Sequence, residues 1–398
     1  MKLLHTSDWH LGQIFYNYDR KHEHLHFLNW LKEEIKKINI DLLLISGDIF
    51  DTSNASAESQ QMYYTFLRDV TYENPNIQIV ITAGNHDSAA RLEAPNPLLE
   101  NMNITVRGVV HKLQDKTINL DNLIVKTKCG AAILAVPYLR QGDYPQSNSY
   151  AEGVETLYQK LIEKAKEIDA YPIIAMGHLV ANGAKFSEND KSERATIGGL
   201  DSISPKIFDK DIDYTALGHL HKAQRVAQNE SIRYAGAPLP MSFAEKNYKQ
   251  SVTLVTFEDN KKEIEKIDYD TLVKLISIPK NEPKPLAEVL NEINQLPDGE
   301  INNKSPFLEI RVLITEPEPT MRFVIEEALK GKSVKLARIE GKVERKGSET
   351  DKVLTYEELE KINPIDMATD VFKRKYGGDE MPDNMKTLLN QIILDIER

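Results

Sequence analysis

Five short apolar runs, rich in isoleucine, leucine and valine, each lead into a polar cluster that contains aspartate, asparagine or histidine. They are KLLHTSDWH, DLLLISGDIFD, IQIVITAGNHD, PIIAMGHLV and YTALGHLH. Such runs are typical of strands that are buried on both faces. Helical stretches such as HEHLHFLNWLKEEIKKI and SAESQQMYYTFLRDV separate several of them. Strands that alternate with helices pair in parallel through crossover connections, so the sequence predicts an α/β fold.

The polar clusters are expected to meet, because the carboxyl ends of parallel strands lie at one edge of a sheet. Seven side chains in these clusters are candidate metal ligands: Asp8, His10, Asp48, Asn85, His178, His219 and His221. Imidazole and oxygen donors without thiolates suit Mn²⁺, Fe²⁺ or Zn²⁺. Seven ligands exceed the needs of one tetrahedral ion and suit two ions, about 3.5–4 Å apart, that share a carboxylate. We expect Asp48 to be that bridge, since a carboxylate offers two oxygens.

The histidine pair in TALGHLH has a simpler explanation when it is taken alone. His219 and His221 are one residue apart, and alternation along a surface strand would also place them on one face. The recurrence of polar clusters after the other apolar runs favours metal binding.

Composition restricts the class of protein. A chain of 398 residues is too long for one hydrophobic core, so two or three domains are expected. No apolar stretch approaches the roughly 18 residues of a membrane span, and MKLLHTSDWH is unlike a signal peptide, which predicts a cytoplasmic protein. Cys129 is the only cysteine, which excludes an internal disulfide and a cysteine zinc site. The net charge of −11 argues against a generally basic surface but permits a local positive patch.

The motifs DWHLG, GDIFD, GNHD, GH and GHLH, in this order and spacing, resemble those of the calcineurin-like metallophosphoesterases. More narrowly, the chain resembles the SbcD family of bacterial nuclease subunits, and RYAGAPLPMSFAE extends the resemblance. It implies a sandwich of β-sheets flanked by helices, with a small α/β capping domain and a helical C-terminal tail. GDIFD lacks the Asp-Arg-Gly that follows in protein Ser/Thr phosphatases, and GNHD has Asp where those enzymes have Glu. These differences disfavour a phosphatase.

The resemblance also implies ligand sets for two divalent ions. One ion is bound by Asp8, His10, Asp48 and His221, and the other by Asp48, Asn85, His178 and His219. The family assigns the position of His86 to assisting the departure of the 3′-oxygen. A neighbouring carboxylate, that of Asp87, can orient this imidazole and keep it protonated. Alternatively, His86 only caps the turn, or Asp87 serves the turn.

The implied activity is a Mn²⁺-dependent 3′-to-5′ exonuclease on double-stranded DNA and an endonuclease on single strands and hairpins. The implied partners are DNA, a second copy of the chain and an SbcC-type coiled-coil ATPase, in a heterotetramer that processes DNA ends in repair, recombination and replication. Two other functions stay open. One is a metal-dependent phosphatase or phosphodiesterase on a small molecule or a protein, and the other is a non-catalytic DNA-end scaffold.

Three domains are predicted: a nuclease domain at 1–275, a DNA-contacting capping domain at 276–346 and a helical tail at 347–398. The stretch SIPKNEPKPLAEV contains three prolines and is typical of a linker. Beyond it the sequence predicts a helix near Leu286 to Leu296, the strand FLEIRVLI, a helix that begins at Thr320, and the strand SVKLARIEGKVER.

The segment from Lys330 to Lys346 contains seven lysines and arginines against two glutamates. Such a run is often only a solvated face. In an acidic protein it could also form a surface that contacts the phosphates of DNA. Both interpretations stay open from the sequence.

The tail MPDNMKTLLNQIILDIER predicts an amphipathic helix. Its apolar positions recur at helical steps: Met385, Leu388, Leu389, Ile392, Ile393 and Ile396. A short helix of this kind needs a groove to bury its stripe. The groove could belong to the catalytic domain of the same chain, but the resemblance favours one on the ATPase partner.

Overall fold

The computed structural model describes residues 1–168, 170–185, 202–208, 211–259, 261–314 and 319–343, and the single residues 368, 369, 372, 381, 382, 385 and 386. The chain divides into two compact units, Met1–Val343 and Glu344–Arg398. The helices and strands named below all belong to the first unit. Within the described residues, no helix has both the length and the apolar character to cross a bilayer.

The strands are β1 (Lys2–Thr6), β2 (Ile14–Phe15), β3 (Tyr18–Asp19), β4 (Leu42–Ser46), β5 (Gln78–Thr82), β6 (Ile104–Arg107), β7 (Ile124–Lys126), β8 (Ala132–Ala135), β9 (Ile173–His178), β10 (Tyr214–Gly218), β11 (Gln224–Val226), β12 (Asn229–Tyr234), β13 (Ser251–Glu258), β14 (Lys261–Asp268), β15 (Leu275–Ile278), β16 (Phe307–Ile314) and β17 (Lys335–Val343). The α-helices are α1 (Lys21–Ile38), α2 (Ala57–Glu73), α3 (Ala89–Glu93), α4 (Asn96–Leu99), α5 (Tyr150–Lys166), α6 (Leu286–Asn294) and α7 (Met321–Ala328). Short 3₁₀ helices span Glu100–Met102, Leu120–Leu123, Pro205–Phe208 and Phe243–Glu245.

Two six-stranded sheets form the body of the first unit. In the first sheet, β1, β4, β5 and β6 pair in parallel, and β13 and β14 extend it through antiparallel pairs. In the second sheet, β12, β10, β9 and β8 pair in parallel, and β11 and β7 close its edges in antiparallel pairs. The parallel pairing that the apolar runs predicted is therefore confirmed for both sheets.

The two sheets pack face to face, with β4 against β9 and β10. Their facing side chains form one apolar layer that includes Leu44, Ile174 and Met176. Helices cover the outer faces: α1 and α2 pack on the first sheet and α5 packs on the second. Strands buried on both faces need apolar residues at successive positions rather than at alternate ones. This is why β4, LLLIS, is buried along its whole length.

The order of layers confirms the predicted sandwich of sheets flanked by helices. Helix α1 buries Phe27, Leu31 and Ile35 at four-residue steps, which is the spacing of one helical face. It ends at Ile38, and the next residue, Asn39, caps the last turn with a left-handed backbone (φ 60°).

A third, parallel sheet has the order β15-β16-β17 and its own core with α6 and α7. The predicted strand FLEIRVLI is β16, and Thr320 precedes α7 as predicted, although its side chain accepts no capping hydrogen bond. The linker interpretation of Pro279, Pro283 and Pro285 is wrong. These prolines lie inside this layer, because β15 precedes them and already pairs with β16. The domain limits 1–275 and 276–346 stay a prediction, since the three larger sheets all belong to one compact unit.

Phe307 joins the third sheet to the body of the unit. Its fully buried ring lies 4.9 Å from the ring of Phe15 and 5.5 Å from that of Tyr18, between centroids. Beside it, the buried guanidinium of Arg20 pairs with Glu23 and donates a 2.7 Å hydrogen bond to the Pro240 carbonyl. The aromatic contact and the satisfied cation fix the third sheet beside the loop before Phe243–Glu245.

Candidate metal centre

The predicted site residues lie where the two sheets meet at their carboxyl ends. Asp8 and His10 follow β1, Asp48 follows β4, and Asn85 follows β5. From the second sheet, His178 ends β9, and His219 and His221 follow β10. The Nδ1 of His178 lies 3.0 Å from the carbonyl oxygen of Ser46, so a hydrogen bond joins the two sheets at this rim. All seven candidate ligands are thus positioned by strand ends, as the sequence predicted.

The backbone is unusual at four of these residues. The φ values are 54° at Asp8, 47° at His10, 49° at Asp48 and 101° at His219. Residues other than glycine rarely adopt positive φ values of this kind. Such strain is found at functional sites where surrounding hydrogen bonds hold it. Here the Asp8 amide donates to the Gly47 carbonyl and the His10 amide to the Asp48 carbonyl, each at 3.0 Å.

Two glycines bring the sheets together at the rim. A Cβ at Gly47 would collide with the imidazole of His178, and one at Gly218 would collide with the Ser46 carbonyl. Gly47 also has a φ of 85°. Any side chain here would push apart the strand ends that carry the ligands.

One group of ligands comprises Asp8, His10 and His221. Their ligand atoms lie within 4.8 Å of one another, and all three residues are buried. Within the described part of the chain, neither ring nitrogen of His10 has a hydrogen-bond partner. A buried imidazole without a partner is costly, and a metal ion would satisfy it. Asp8 is held by the His219 amide, which donates to its Oδ1 at 2.9 Å.

A second group comprises Asp48, Asn85, His178 and His219. The Oδ1 of Asn85 lies 3.0 Å from Nε2 of His178 and 3.1 Å from Nδ1 of His219. The Oδ2 of Asp48 lies 3.2 Å from Nε2 of His178 and 3.7 Å from Nε2 of His10. Asp48 therefore lies between the two groups, which is the position that a bridging carboxylate requires.

Opposite charges dominate the electrostatics of the second group. Although burial favours the protonated form of Asp48, the charge of His178 holds the pKa of this carboxyl well below its usual value. Burial opposes a charge on His178 as well, yet the Asp48 carboxylate raises the pKa of this imidazole to about 9. Burial and the charge of His178 lower the pKa of His219 to about 3. Because a ligating imidazole must be neutral, metal binding at His178 is expected to release a proton.

His86 lies at the mouth of the site and is exposed. Its Nδ1 lies 2.7 Å from the carbonyl oxygen of Asp51, and its amide donates to Oδ1 of Asp48 at 2.8 Å. With Nδ1–H donated to a carbonyl, Nε2 is the nitrogen that faces a substrate, and it carries a proton when the ring is an imidazolium. The orienting group is thus the Asp51 carbonyl and not the Asp87 carboxylate that the sequence suggested.

Asp87 is buried, and its carboxylate accepts three backbone amides instead. Gly84 and Ile49 donate to Oδ2 at 2.9 and 3.2 Å, and Phe50 donates to Oδ1 at 3.0 Å. These bonds tie the loop after β5 to the loop after β4. The geometry favours the alternative in which Asp87 serves the turn, and a catalytic role for it stays a prediction.

Two acidic residues at the site were not among the predicted site residues. Oδ1 of Asp51, the last residue of GDIFD, lies 3.4 Å from Nδ1 of His10, and the two residues form a further candidate cluster with His86. Oε1 of Glu245 lies 3.0 Å from Nδ1 of His221. Glu245 is the last residue of RYAGAPLPMSFAE, a motif that extends the family resemblance. Its position beside His221 is visible only in the folded chain.

These residues fit divalent metal ions. The set contains imidazole, carboxylate and amide donors, and among the described residues the ring nitrogens of the buried His10 make no hydrogen bond. Such donors suit Mn²⁺, Fe²⁺ or Zn²⁺. Two adjacent groups that meet at one carboxylate match the arrangement of a two-metal site.

The basic segment from Lys330 to Lys346 is largely paired in its described part. Lys330 pairs with Glu327 and Lys332 with Asp298, at 2.8 Å for the latter. Arg338 donates from Nε to Glu309 at 2.7 Å. A further cation, that of Lys335, lies over the Phe307 ring at 5.0 Å from its centroid. Because these cations already have partners within the chain, the structure favours a structural role for the segment over a phosphate-binding one.

The C-terminal helix predicted around Leu388 to Ile396 lies outside the described residues. The limits of the predicted tail, 347–398, also fall there. Its role stays a prediction.

Comparison with known proteins gives similarity along the whole chain. A model of the calcineurin-like phosphoesterases matches residues 1–223, and a model described as the type 5 capsule protein repressor C-terminal domain matches residues 271–376. The chain is 33% identical to the SbcD component of nuclease SbcCD from Rhodobacter capsulatus over 85% of this chain and 86% of the relative. It is 29% identical to the Escherichia coli K12 protein of the same name over 98% and 96% of the two chains. The Bacillus subtilis protein of that name is 30% identical over 64% and 66%.

Proposed function

The chain belongs to the calcineurin-like phosphoesterases and, within them, to the SbcD nuclease family, and on this basis we propose that it is a metal-dependent DNA phosphodiesterase. The observation that carries the proposal is the convergence of the seven ligand side chains at one rim, with His86 exposed beside them. A binding module would need neither the strained ligand backbone nor a histidine placed to donate a proton.

The proposed centre holds two divalent ions, for which Mn²⁺ is the expected metal. The first ligand set is Asp8, His10, Asp48 and His221, and the second is Asp48, Asn85, His178 and His219. When bound, such ions supply a nucleophile at neutral pH and neutralise charge on the phosphate. The residues of the chain hold this arrangement by the strand-end hydrogen bonds and by the Glu245 carboxylate behind His221.

His86 is proposed as the general acid. Its Nδ1–H donates to the Asp51 carbonyl, which fixes the ring and directs Nε2–H outwards. The acid is the imidazolium form of the ring. As the bond between phosphorus and the 3′-oxygen breaks, Nε2 gives its proton to that oxygen, which leaves as a hydroxyl, and the ring becomes neutral. The edge contact with the His10 ring, at 4.8 Å between centroids, keeps His86 beside the first ligand group.

The finer activity follows the family. We expect 3′-to-5′ exonuclease action on double-stranded DNA and endonuclease action on single strands and hairpins. The relatives are named as components of the SbcCD nuclease, which supports a coiled-coil ATPase of the SbcC type as the partner. A homodimer within a heterotetramer, a cytoplasmic location and a role in repair, recombination and replication belong to the same proposal.

The test incubates the purified chain with labelled duplex and hairpin DNA in Mn²⁺, in Mg²⁺ or in chelator, with and without the ATPase. We expect nucleotides to be released from the 3′ ends of the duplex in the presence of metal, and no cleavage in chelator. Hydrolysis of para-nitrophenyl phosphate without cleavage of any DNA would instead support a phosphatase. Binding to DNA ends without cleavage in any metal would support a scaffold.

A further inference from the structure

A cleft lined by three lysines lies on the outer side of the second sheet. Its volume is about 720 Å³, within the range of ligand-binding clefts. The cationic residues are Lys112, Lys116 and Lys160, and the wall between them includes Gln141 and Tyr144. We name it the lysine cleft. Among the described residues that line it there is no aspartate or glutamate.

The three lysines come from different parts of the fold. Lys112 and Lys116 belong to the hairpin in which Lys112 bridges Ile118, and Lys160 lies on α5. All three are exposed. A Cβ placed on Gly142 would lie 4.0 Å from Nζ of Lys112, so this ammonium group reaches the far wall. Tertiary packing therefore gathers charges from two distant segments of the chain.

These charges are not neutralised by the surrounding chain. Across the residues that the structure describes, none of the three ammonium groups forms an ion pair or a hydrogen bond. Two acidic side chains that adjoin the cleft in sequence, those of Asp115 and Asp143, accept backbone amides. Asp115 accepts the Thr117 amide at 2.9 Å, and Asp143 accepts the Arg140 amide, also at 2.9 Å. Three like charges without counter-ions in a protein of net charge −11 form a local site for an anion.

A short stretch of chain, from Tyr138 to Gln141, joins the metal centre to the lysine cleft. The loop after β8 passes the centre at Tyr138, whose ring lies 6.2 Å from the ring of His178 and whose amide donates to the Ala83 carbonyl. The same loop reaches the cleft at Gln141. Three residues of chain span at most about 11 Å, so the cleft begins close to the rim. A polyanion held at the metal centre would extend along this loop.

We propose that the lysine cleft binds the phosphodiester backbone of the nucleic acid beyond the point of cleavage. The inference rests on the proposed function and adds a contact surface to it. Lysines bind phosphates as point charges, which gives affinity without base selectivity. Tyr144 adds an aromatic surface to the wall, of the kind against which bases pack. An acidic peptide is disfavoured as the ligand, because the proposed metal centre next to the cleft acts on phosphodiesters.

The test replaces the three lysines with glutamine (K112Q/K116Q/K160Q) and measures binding of labelled DNA in chelator as a function of salt. Each lost phosphate contact lowers the slope of log affinity against log salt by about 0.9 on duplex and about 0.7 on single strands. Comparison of duplex and single-stranded probes therefore identifies which backbone occupies the cleft. Arginine in place of all three lysines should preserve the slope.

A matched control removes three exposed lysines at the opposite edge of the sheets (K126Q/K128Q/K261Q). It changes the net charge equally and should leave the slope unchanged. Hydrolysis of a small chromogenic diester in Mn²⁺ should be equal in all variants, since the cleft lies outside the ligand groups. A wild-type slope in the cleft variant, or an equally reduced slope in the control, would overturn the proposed role of the cleft. Cleavage of DNA by the same proteins would still support the proposed enzyme activity. Failure of the wild type both to bind DNA in chelator and to cleave it in Mn²⁺ would overturn both.

Discussion

Oε1 of Glu245 lies 3.0 Å from Nδ1 of His221, and both side chains are buried. The other carboxylate oxygen, Oε2, accepts the Met241 amide at 2.8 Å, so the carboxylate is fixed on both sides. A carboxylate behind an imidazole sets its tautomer and raises its basicity as a metal ligand. Glu245 is thus a positioning residue for His221, and Nε2 is the nitrogen that we assign to the ion.

Removal of this carboxylate should weaken metal binding. We expect Glu245→Ala to lower the affinity of the first ligand group about 10- to 100-fold, the scale for loss of such a partner. Glu245→Gln should lose less, because an amide oxygen can still accept from Nδ1. Titration calorimetry with Mn²⁺ measures both. Glu263→Gln, an exposed position on β14, is the control. If Glu245→Ala lowers the melting temperature but the folded variant binds Mn²⁺ with unchanged affinity, Glu245 has only a structural role.

Asp48 and His86 should separate metal binding from proton transfer. Asp48→Ala should lose both ions and all hydrolysis, since this carboxylate lies between the two ligand groups. His86→Ala should retain both ions and bind DNA, but cleave it about 100-fold more slowly, the scale for a lost general acid. Metal analysis beside a cleavage assay tests the pair. Two bound ions in Asp48→Ala, or wild-type cleavage in His86→Ala, would contradict the assignment.

The sequence was sufficient to predict the five strands that carry the site and the rim at which they end. Apolar runs such as LLLIS have one stable placement, between two layers, and parallel strands bring their carboxyl ends together. The positions of Asp48 and His178 follow from that rule alone. Their electrostatic coupling does not, because it depends on two different sheets meeting face to face.

Residues that act through a distant partner could not be predicted. Glu245 and His221 are 24 residues apart, and nothing local marks the carboxylate as the partner of this imidazole. The role of Asp87 was open for the same reason, since its partners are backbone amides in another loop. Charge counting in the basic segment could not choose between its two interpretations, because it does not show that tertiary contacts pair Arg338 with Glu309.

His5 should make the fold sensitive to acid. It is fully buried, with Nδ1 2.9 Å from the Tyr214 hydroxyl, and burial lowers its pKa to about 3. Below about pH 6.5 the imidazole of His5 binds a proton in the unfolded chain, whereas in the folded chain it stays neutral. The free energy of unfolding should therefore fall by about 1.4 kcal/mol per pH unit below that point, and the effect should be absent above it.

Urea unfolding at several pH values between 5 and 7 measures this slope. His5→Asn should reduce it by about one proton. His22→Asn, an exposed position on α1, should leave it unchanged. An identical slope in wild type and His5→Asn would show that other groups cause the acid sensitivity.

Phe307 should contribute much of the free energy that holds the third sheet against the two larger sheets. Its ring is fully buried against Phe15 and Tyr18, so Phe307→Ala should lower the free energy of unfolding by about 3–5 kcal/mol. Phe323→Ala removes the same side chain from a position that is 65% exposed and should cost less than about 0.5 kcal/mol. Urea denaturation compares the two. Similar small losses in both would mean that the sheet is held by other contacts.

The C-terminal tail should bind the ATPase partner. Its sequence predicts a short amphipathic helix, which cannot bury its apolar stripe alone. A chain that stops at Glu349 should remain folded and active on small diesters but fail to retain an SbcC-type ATPase in a pull-down. Leu389→Glu with Ile393→Glu should do the same in the full chain, because both positions lie on the stripe. Asn390→Glu with Gln391→Glu adds the same charges off the stripe and should retain the partner. A fall of many degrees in the melting temperature of the truncated chain, with partner binding intact, would place the tail against its own catalytic domain instead.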